Sequence, residues 1–261
     1  AQTGGCLQPD PADPVCRRCV PKTTRMAAPP TMPARPQLAV IIPVYRDTAA
    51  LVRLLGLMKT HKGVDQIIVS AATVSPKDLG SLQRRFPSVE FVAGSAGRGV
   101  QLNRGRAATQ ATLLWCLHAD ASPPDDGAHH IRAAAEMHAA GGYFQFQFDG
   151  VDSKGASRLA RLINWRARRG VPYGDQGLWF TAHVFDAAGG FEEQPLFEEV
   201  RLVKSVRRLG EFVELPQAIG VNPRRWRSTG WTRRTLLNRA LALGHAAGIS
   251  PERLARWYAR F

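Results

Sequence analysis

Four short apolar runs recur at nearly even spacing in the first half of this 261-residue chain, and no other feature restricts its fold as strongly. The runs begin near residues 38, 66, 89 and 112, and the first of them ends at Pro43. Helical patterns fill the gaps; the first covers residues 51–58, behind a cap at Asp47 or Thr48. Unbroken apolar strands that alternate with helices are typical of a parallel sheet covered on both faces. We therefore predict an α/β fold with a Rossmann-like, mostly parallel half over residues 37–120.

After residue 120 this rhythm stops, and the pattern predicts a mixed half over residues 121–261. Phe144, Phe146 and Phe148 alternate with glutamines, which predicts a half-exposed strand in antiparallel pairing. The remaining predicted elements are helices over residues 125–140, 158–169 and 198–209 and a short strand at 178–181.

Residues 1–36 are rich in proline and poor in aliphatic side chains. Cys16 and Cys19 have C-x-x-C spacing, but neither Cys6 nor a second pair completes a zinc site at the usual distance. The segment also lacks the apolar core of a signal peptide. We predict a poorly ordered tail or linker before one domain over residues 37–261. Since Cys116 falls in a buried strand, we expect a reducing, cytoplasmic setting.

The chain is strongly basic, with a formal net charge of +14. Residues 201–261 alone have thirteen Lys and Arg against three Glu. Such a charge indicates a polyanionic partner, either nucleic acid, an anionic membrane or a phosphorylated substrate. Nucleic acid is disfavoured, because the arginines form no single run and no recognition motif is present. No apolar stretch approaches the ~18 residues that a membrane-spanning helix needs.

The turns that follow the strands limit the kinds of ligand site that this chain can form, because parallel sheets bind ligands at the carboxyl ends of their strands. Pro43 and Tyr45 occupy the first turn, where a dinucleotide-binding protein would have G-x-G-x-x-G, and there is no P-loop, H-E-x-x-H or G-x-S-x-G motif. Asp120 follows the fourth strand, with His118 on the same side of an extended segment. A hard divalent cation that bridges a diphosphate takes carboxylate oxygens, so Asp120 is a candidate ligand.

The motifs together resemble family 2 glycosyltransferases. Residues 41–47 (IIPVYRD) are similar to the first strand and turn of that family, and His118-Ala119-Asp120 stands where its members have D-x-D. Residues 196–202 (LFEEVRL) resemble its Glu-Asp motif, and residues 222–226 (NPRRW) a degraded Q-x-x-R-W. Residues 97–105 (GRGVQLNRG), 172–177 (PYGDQG) and 251–255 (PERLA) resemble more narrowly the bacterial subfamily associated with radical-SAM and selenoprotein gene clusters.

The resemblance implies a GT-A-type glycosyltransferase fold and a metal-dependent transfer of a sugar from a nucleotide-sugar donor to an acceptor hydroxyl, with inversion. It implies Mg²⁺ or Mn²⁺ at Asp120 and His118. Glu199 would be the catalytic base and Glu198 its second-choice substitute. Donor-binding roles fall on Pro43, Tyr45, Asp47, Ser70, Arg98 and Gln101. The acceptor or sugar pocket would contain Tyr173, Asp175, Gln176, Arg225 and Trp226.

Two departures from the family pattern keep alternatives open. Family members often have an Asp after the second strand; here Ser70 or Thr73 would have to recognise the nucleotide base of the donor. The second departure is Glu199, which is one methylene longer than the usual Asp. A catalytically weakened glycosyltransferase-fold binding protein is therefore the alternative. A sugar-phosphate nucleotidyltransferase is less favoured, because it needs a Gly-rich loop with Lys after the first strand.

The acceptor is unknown, with a lipid-linked molecule one candidate. The basic C-terminal helices would either rest on the anionic inner face of the membrane or pack against the catalytic half.

Overall fold

A computed structural model describes residues 35–260 of the chain. The predicted tail over residues 1–36, with Cys6, Cys16 and Cys19, lies almost wholly outside the described residues. From Pro36 onwards the chain forms one compact unit. No helix among residues 35–260 is long and apolar enough to cross a membrane.

The first half has the predicted β-α repeat. Its elements are β1 (Leu38–Tyr45), α1 (Thr48–Met58), β2 (Gln66–Ala72), α2 (Pro76–Arg85), β3 (Val89–Ala93), α3 (Arg98–Ala107) and β4 (Leu113–Cys116). Their strands are parallel in the order β3-β2-β1-β4. Helix α3 ends at Ala107, and just after it the Thr109 hydroxyl accepts from the backbone N–H of Ala111.

Strand β1 runs past Pro43 to Tyr45, so the prediction that Pro43 ends it is wrong. The pairing of β1 with β4 stops at Ile41, opposite Cys116, whereas the pairing with β2 continues. Pro43 therefore lies where β1 is bonded along one side only, and proline is tolerated in such edge-like positions because its missing N–H interrupts no ladder there.

The second half adds antiparallel and mixed pairings. Its elements are β5 (Ala121–Ser122), α4 (Gly127–Glu136), β6 (Gly141–Phe148), α5 (Lys154–Arg169), a 3₁₀ turn (Gly174–Gln176), β7 (Trp179–Thr181), α6 (Ala182–Ala187), α7 (Glu199–Leu209), β8 (Phe212–Val221), α8 (Arg224–Thr229), α9 (Trp231–Ala246) and α10 (Pro251–Tyr258). The eight strands within residues 35–260 form one sheet in the order β3-β2-β1-β4-β7-β6-β8-β5. The antiparallel prediction for residues 144–148 is wrong, because only residues 141–142 of β6 pair with antiparallel β7, and the whole strand is parallel to β8.

The residues of β8 carried no clear strand signal, and Pro216 explains why. Leu215 pairs with Phe144, but the next residue of β6, Gln145, pairs with Ala218, so Pro216 and Gln217 form a bulge. Proline cannot donate to a ladder and is confined within sheets to edges and bulges. The bulge lets β8 continue on both sides of a residue that normally interrupts a strand.

Both faces of the sheet are covered, as the unbroken apolar runs predict. Val40 and Ile42 of β1 face one core, which they share with Leu51 of α1, and Ile41 faces the other, with Leu202 of α7. The close approach of α3 to β1 depends on Gly105, where a Cβ atom would lie 2.3 Å from the Cγ2 of Ile41.

Asp47 connects two distant parts of the chain. Its Oδ1 atom accepts from the backbone N–H of Ala50, 3.2 Å away, and caps α1 as the sequence predicts. Its Oδ2 atom accepts from Nη2 of Arg224 at 3.1 Å, which ties α8 to the turn after β1. Through its two carboxylate oxygens, Asp47 therefore holds the start of α1 and helix α8 together.

Candidate functional site

Three segments bring charged side chains together at the carboxyl edge of the sheet. Arg98 is the first residue of α3, His118 follows β4, and Glu198 and Glu199 lie at the start of α7. Gly99 allows this approach, because a Cβ atom there would lie only 2.1 Å from the carbonyl oxygen of Glu192.

Arg98 is the centre of this cluster. Its Nε donates to Oε1 of Glu198, and its Nη2 lies 3.9 Å from Oε2 of Glu199. Its Nη1 is 3.2 Å from Nε2 of His118. The side chains of Glu198 and Glu199 are only 1% and 2% exposed, so their charges depend on Arg98 for compensation. One guanidinium therefore joins α3, the end of β4 and α7.

The two glutamates differ in what they contact. Glu198 accepts directly from Arg98 through Oε1, whereas Arg98 approaches Glu199 only to 3.9 Å; Oε2 of each glutamate has no hydrogen-bond partner among residues 35–260. Burial, together with the charge of Glu198, raises the pKa of Glu199 to about 8 against the opposing effect of Arg98. A carboxyl with a pKa near neutrality can both accept and release a proton under ordinary conditions.

His118 is held neutral by its surroundings. A guanidinium can only donate, so Nε2 of His118 accepts from Arg98 and the ring proton is on Nδ1. Burial and then the charges of Arg98 and Arg225 set the pKa of His118 well below its usual range. A Cβ atom at Gly174 would lie 3.1 Å from the same Nε2 atom, so the 3₁₀ turn packs closely against the ring.

The metal expectation therefore depends on Asp120. No group of three or more His, Cys, Asp and Glu side chains among residues 35–260 is placed to hold a metal ion, and His118 is engaged by Arg98 in this arrangement. Asp120 remains available: Nη2 of Arg53 donates to its backbone oxygen at 2.8 Å, not to its carboxylate. Burial and then the nearby charge of Asp120 act to raise the pKa of Asp175, with Arg166 and Arg98 opposing them. A hard cation can keep several waters and take a single protein carboxylate, so Asp120 by itself is compatible with such an ion.

Three of the five predicted acceptor-pocket residues line one cavity of about 100 Å³ between α5 and α9. Tyr173, Asp175 and Trp226 line it together with apolar side chains of α5. The guanidinium of Arg166 lies 3.9 Å from the centre of the Tyr173 ring. Trp226 packs on Phe148, and its buried indole N–H has no acceptor among the described residues. The lining of the cavity thus combines apolar and polar side chains.

The other two lie outside this cavity lining. Gln176 is fully buried, where its Nε2 donates to the carbonyl of Phe144 at 3.3 Å and its Oε1 accepts from the backbone of Tyr173 at 3.4 Å. It supports the 3₁₀ turn from behind. Arg225 donates to the hydroxyl of Tyr258 at 2.6 Å, and its charge acts on His118.

The predicted donor-binding residues divide into exposed and buried groups. Tyr45 is 49% exposed at the end of β1, and Pro43 and Asp47 are half-buried beside it. Gln101 is buried, and its Nε2 donates to the carbonyls of Val44 and Ser70 at 2.9 and 2.7 Å. Both amide protons are therefore used to hold the ends of β1 and β2 together.

Ser70 is also fully buried, and its hydroxyl accepts from Nε of Arg104 at 3.0 Å. Sequence reasoning missed this arginine and Arg166, because both lie in helices with many other basic residues. Their contacts in the folded chain distinguish them from solvated charges: Arg166 contacts the Tyr173 ring and donates to the carbonyl of Val171, and Arg104 donates to Ser70 and to the carbonyl of Ser95.

No model of a known protein family and no curated protein matches this sequence. Solved structures with a similar fold include a mannosyltransferase from Pyrobaculum calidifontis in complex with GDP-Man and Mn²⁺, which is 14% identical with a TM-score of 0.55 over 71% of this chain and 56% of that one. They also include S. aureus TarS 1-349, 12% identical with a TM-score of 0.53 over 72% of this chain and 61% of that one. A complex of the same protein with UDP-GlcNAc has a TM-score of 0.55 at 12% identity, over 69% of this chain and 56% of that one.

These identities are low, so the likeness establishes the fold alone. This chain spans 56% to 61% of the length of these structures. It has a GT-A-type α/β fold, as the sequence predicts, with a parallel first half and a mixed second half.

Proposed function

We propose that this protein transfers a sugar from a nucleotide-sugar donor to an acceptor hydroxyl. The observation that carries the proposal is the buried Glu199, whose pKa of about 8 is set beside Arg98 at the carboxyl edge of the sheet. The similar folds of a mannosyltransferase solved with GDP-Man and of TarS solved with UDP-GlcNAc support this class of donor.

The donor would lie along the ends of β1 and β4. Tyr45 offers an exposed ring for a nucleoside, and Arg98 provides positive charge for the diphosphate. Asp120 would hold Mg²⁺ or Mn²⁺, which when bound stabilises the negative charge of the departing nucleoside diphosphate. Gln101 and Ser70 would act through the strand ends that they position.

Glu199 would take the proton of the acceptor hydroxyl. The hydroxyl oxygen forms a bond to the anomeric carbon as the bond from that carbon to the diphosphate oxygen breaks, and the leaving nucleoside diphosphate takes the bonding electrons. Attack from the face opposite the diphosphate gives inversion. A base works best when its pKa is close to the working pH, which suits Glu199. Glu198 would hold Arg98 in place, and it is the second candidate for the base.

The acceptor would enter through the cavity lined by Tyr173, Asp175 and Trp226. Its polar lining residues, among them Tyr173 and Asp175, suit a hydroxylated molecule, and its apolar lining residues suit the faces of a sugar or a hydrocarbon group.

A thermal-shift panel tests the proposal directly. The protein is heated with UDP-, GDP- and dTDP-sugars, each with and without Mn²⁺, because a ligand that binds the folded state raises the melting temperature. We expect one nucleotide sugar to raise it in the presence of Mn²⁺ and to be hydrolysed or transferred slowly. A panel in which no nucleotide sugar binds would contradict the proposal.

One observation favours a second candidate, a binding protein that has lost catalysis. Arg98 contacts both Glu198 and Glu199, and Glu199 is longer than the Asp of the family motif. Donor binding that survives without any hydrolysis or transfer, and that Glu199→Gln leaves unchanged, would establish this candidate in place of the enzyme.

A further inference from the structure

Helices α5 and α9 share a composition that is unusual for a water-exposed surface. Together they contain nine Lys and Arg and no Asp or Glu. In α5 the basic residues are Lys154, Arg158, Arg161, Arg166, Arg168 and Arg169, and in α9 they are Arg233, Arg234 and Arg239. Arg234 is buried, Arg168 pairs with Glu214, and Arg166 lies against Tyr173. The other six basic side chains are exposed, and because surface helices normally mix both signs of charge, they give this face a positive field.

The same two helices expose large apolar side chains. Leu162 and Trp165 of α5 are 49% and 52% exposed, and Leu236 and Leu243 of α9 are 63% and 71% exposed. Leu162 and Trp165 are three residues apart, and Leu236 and Leu243 are seven apart, so each pair lies on one side of its helix. The guanidinium of Arg169 lies 4.5 Å from the centre of the Trp165 ring.

The two helices form one continuous surface. Leu162 and Arg239 line the cavity of about 100 Å³ described above, and Leu159 and Leu236 line a second, wider groove of about 470 Å³. Leu159 and Thr235 border both spaces. We call this surface, made by the outer sides of α5 and α9, the α5–α9 face.

We propose that the α5–α9 face binds the surface of an anionic lipid bilayer. Leucine and tryptophan side chains enter the boundary between headgroups and acyl chains, while arginines beside them pair with lipid phosphates. Trp165 with Arg169 combines these two functions in adjacent turns. The sequence suggested such a surface only for the C-terminal helices, whereas the structure adds α5.

Charge favours a bilayer over the other occupants of an apolar face. A second copy of the chain would bring two surfaces of the same sign together, which opposes association. The phosphates of a nucleic acid would pair with the arginines. The four exposed apolar side chains would gain nothing, because they would exchange water for a charged backbone. An anionic bilayer satisfies both kinds of group.

If the proposed function holds, the location of the α5–α9 face also bears on how an acceptor reaches the site. Residues of both helices line the cavity together with Tyr173 and Asp175, so a membrane-embedded acceptor would reach these residues without leaving the bilayer. Membrane binding itself needs neither donor nor turnover, so its failure is distinguishable from a failure of the proposed function.

Vesicle sedimentation with the full chain tests the inference. We expect the protein to sediment with vesicles that contain phosphatidylglycerol, to remain largely in solution with pure phosphatidylcholine, and to be released by ~0.5 M NaCl as screening weakens the attraction. The variant L162S/W165S/L236S/L243S should bind at least about tenfold more weakly. A matched control, L57S/M137S, removes exposed apolar side chains elsewhere and should bind like the wild type.

A fluorescence measurement identifies the face independently of stability. Brominated phosphatidylglycerol quenches indoles that enter the bilayer, so Trp165→Phe should remove most of the quenching and Trp257→Phe, which alters an exposed tryptophan on α10, should keep it. Equal binding to neutral and anionic vesicles would overturn the inference. So would unchanged binding of the quadruple variant, or a dimer in solution that this variant dissociates.

Discussion

Arg98 and Glu198 form an ion pair across one hundred positions of the sequence, and Glu199 lies beside them with a different set of contacts. The pair gives the two adjacent glutamates different properties. Glu198 accepts a direct hydrogen bond from Arg98 through Oε1, whereas Arg98 approaches Glu199 only to 3.9 Å, and burial raises the pKa of Glu199 to about 8. The proposed base is therefore the glutamate that Arg98 contacts less closely.

Glu199→Gln should lower the rate of sugar transfer by about 10²- to 10⁴-fold, the range typical of a lost general base. Donor binding should change little, because Gln keeps the volume and can still contact Arg98. Turnover with the nucleotide sugar found in the thermal-shift panel measures the first effect and the thermal shift measures the second. Glu198→Gln is the matched control; a larger rate loss in that variant would move the base by one residue.

The pH dependence of both rate and stability should follow Glu199. Transfer should speed up as pH rises through about 8, because the base must be ionised. Stability should change in the opposite direction. The folded state holds this proton up to about 8, whereas the unfolded chain releases it near 4.5, so the free energy of unfolding should fall as pH rises between these values. Urea unfolding across this range should give a weaker dependence in Glu199→Gln, and an unchanged one would contradict the raised pKa.

Asp120→Asn should abolish the extra thermal stabilisation that Mn²⁺ gives to the donor complex, since an amide oxygen binds a hard cation less tightly than a carboxylate does. Asp125, which is exposed in the segment that follows β5, provides a control of the same chemistry. Asp125→Asn should respond to Mn²⁺ like the wild type. An Asp120→Asn protein that still gains stability from Mn²⁺ with the donor would exclude Asp120 as a ligand.

Asp47→Ala should reduce the free energy of unfolding by about 1 kcal/mol, the usual effect of losing a helix N-cap. Arg224→Ala removes the ion pair to the other carboxylate oxygen but leaves the cap, and because Arg224 is mostly exposed it should cost less than about 0.5 kcal/mol. Urea denaturation of both variants separates the two roles. A larger loss in Arg224→Ala would show that the tie to α8 outweighs the cap.

Gly99→Ala should destabilise the protein by about 1–3 kcal/mol, because the new methyl group would meet the carbonyl of Glu192. Gly56→Ala is the control: a Cβ atom there meets no atom of the described residues within 4 Å, and α1 should gain about 0.5–1 kcal/mol. The midpoints of denaturant unfolding show whether each variant loses or gains stability. A neutral Gly99→Ala would mean that α3 can move away from the Glu192 segment.

The sequence predicts the first half of the fold well because burial on both faces makes its strands apolar without interruption. The cap at Asp47 and the limits of α2 follow from side chains that act within a few residues of themselves. β8 was missed because Pro216 interrupts its pattern, and only its pairing with β6 reveals a strand with a bulge. Sequence patterns thus identify elements that depend on neighbouring residues, but not strands that depend on pairing with a distant segment.

The candidate site shows the same division. The motifs select Arg98, Asp120 and the Glu198-Glu199 pair, but a sequence cannot show that Arg98 contacts both glutamates and His118 at once. That arrangement depends on three elements that meet only in the folded chain. It also includes a hydrogen bond from Arg98 to His118, a contact that the motif does not indicate.

The strand order has a consequence for synthesis of the protein. β4 lies at the edge of the parallel half until β7 is added beside it, and β7 is encoded only at Trp179–Thr181. A growing chain that has completed residue 120 therefore presents an apolar, unpaired strand edge, which is a template for aggregation. Chaperone demand during translation should peak between these two points, and fragments that end there should be recovered as inclusion bodies.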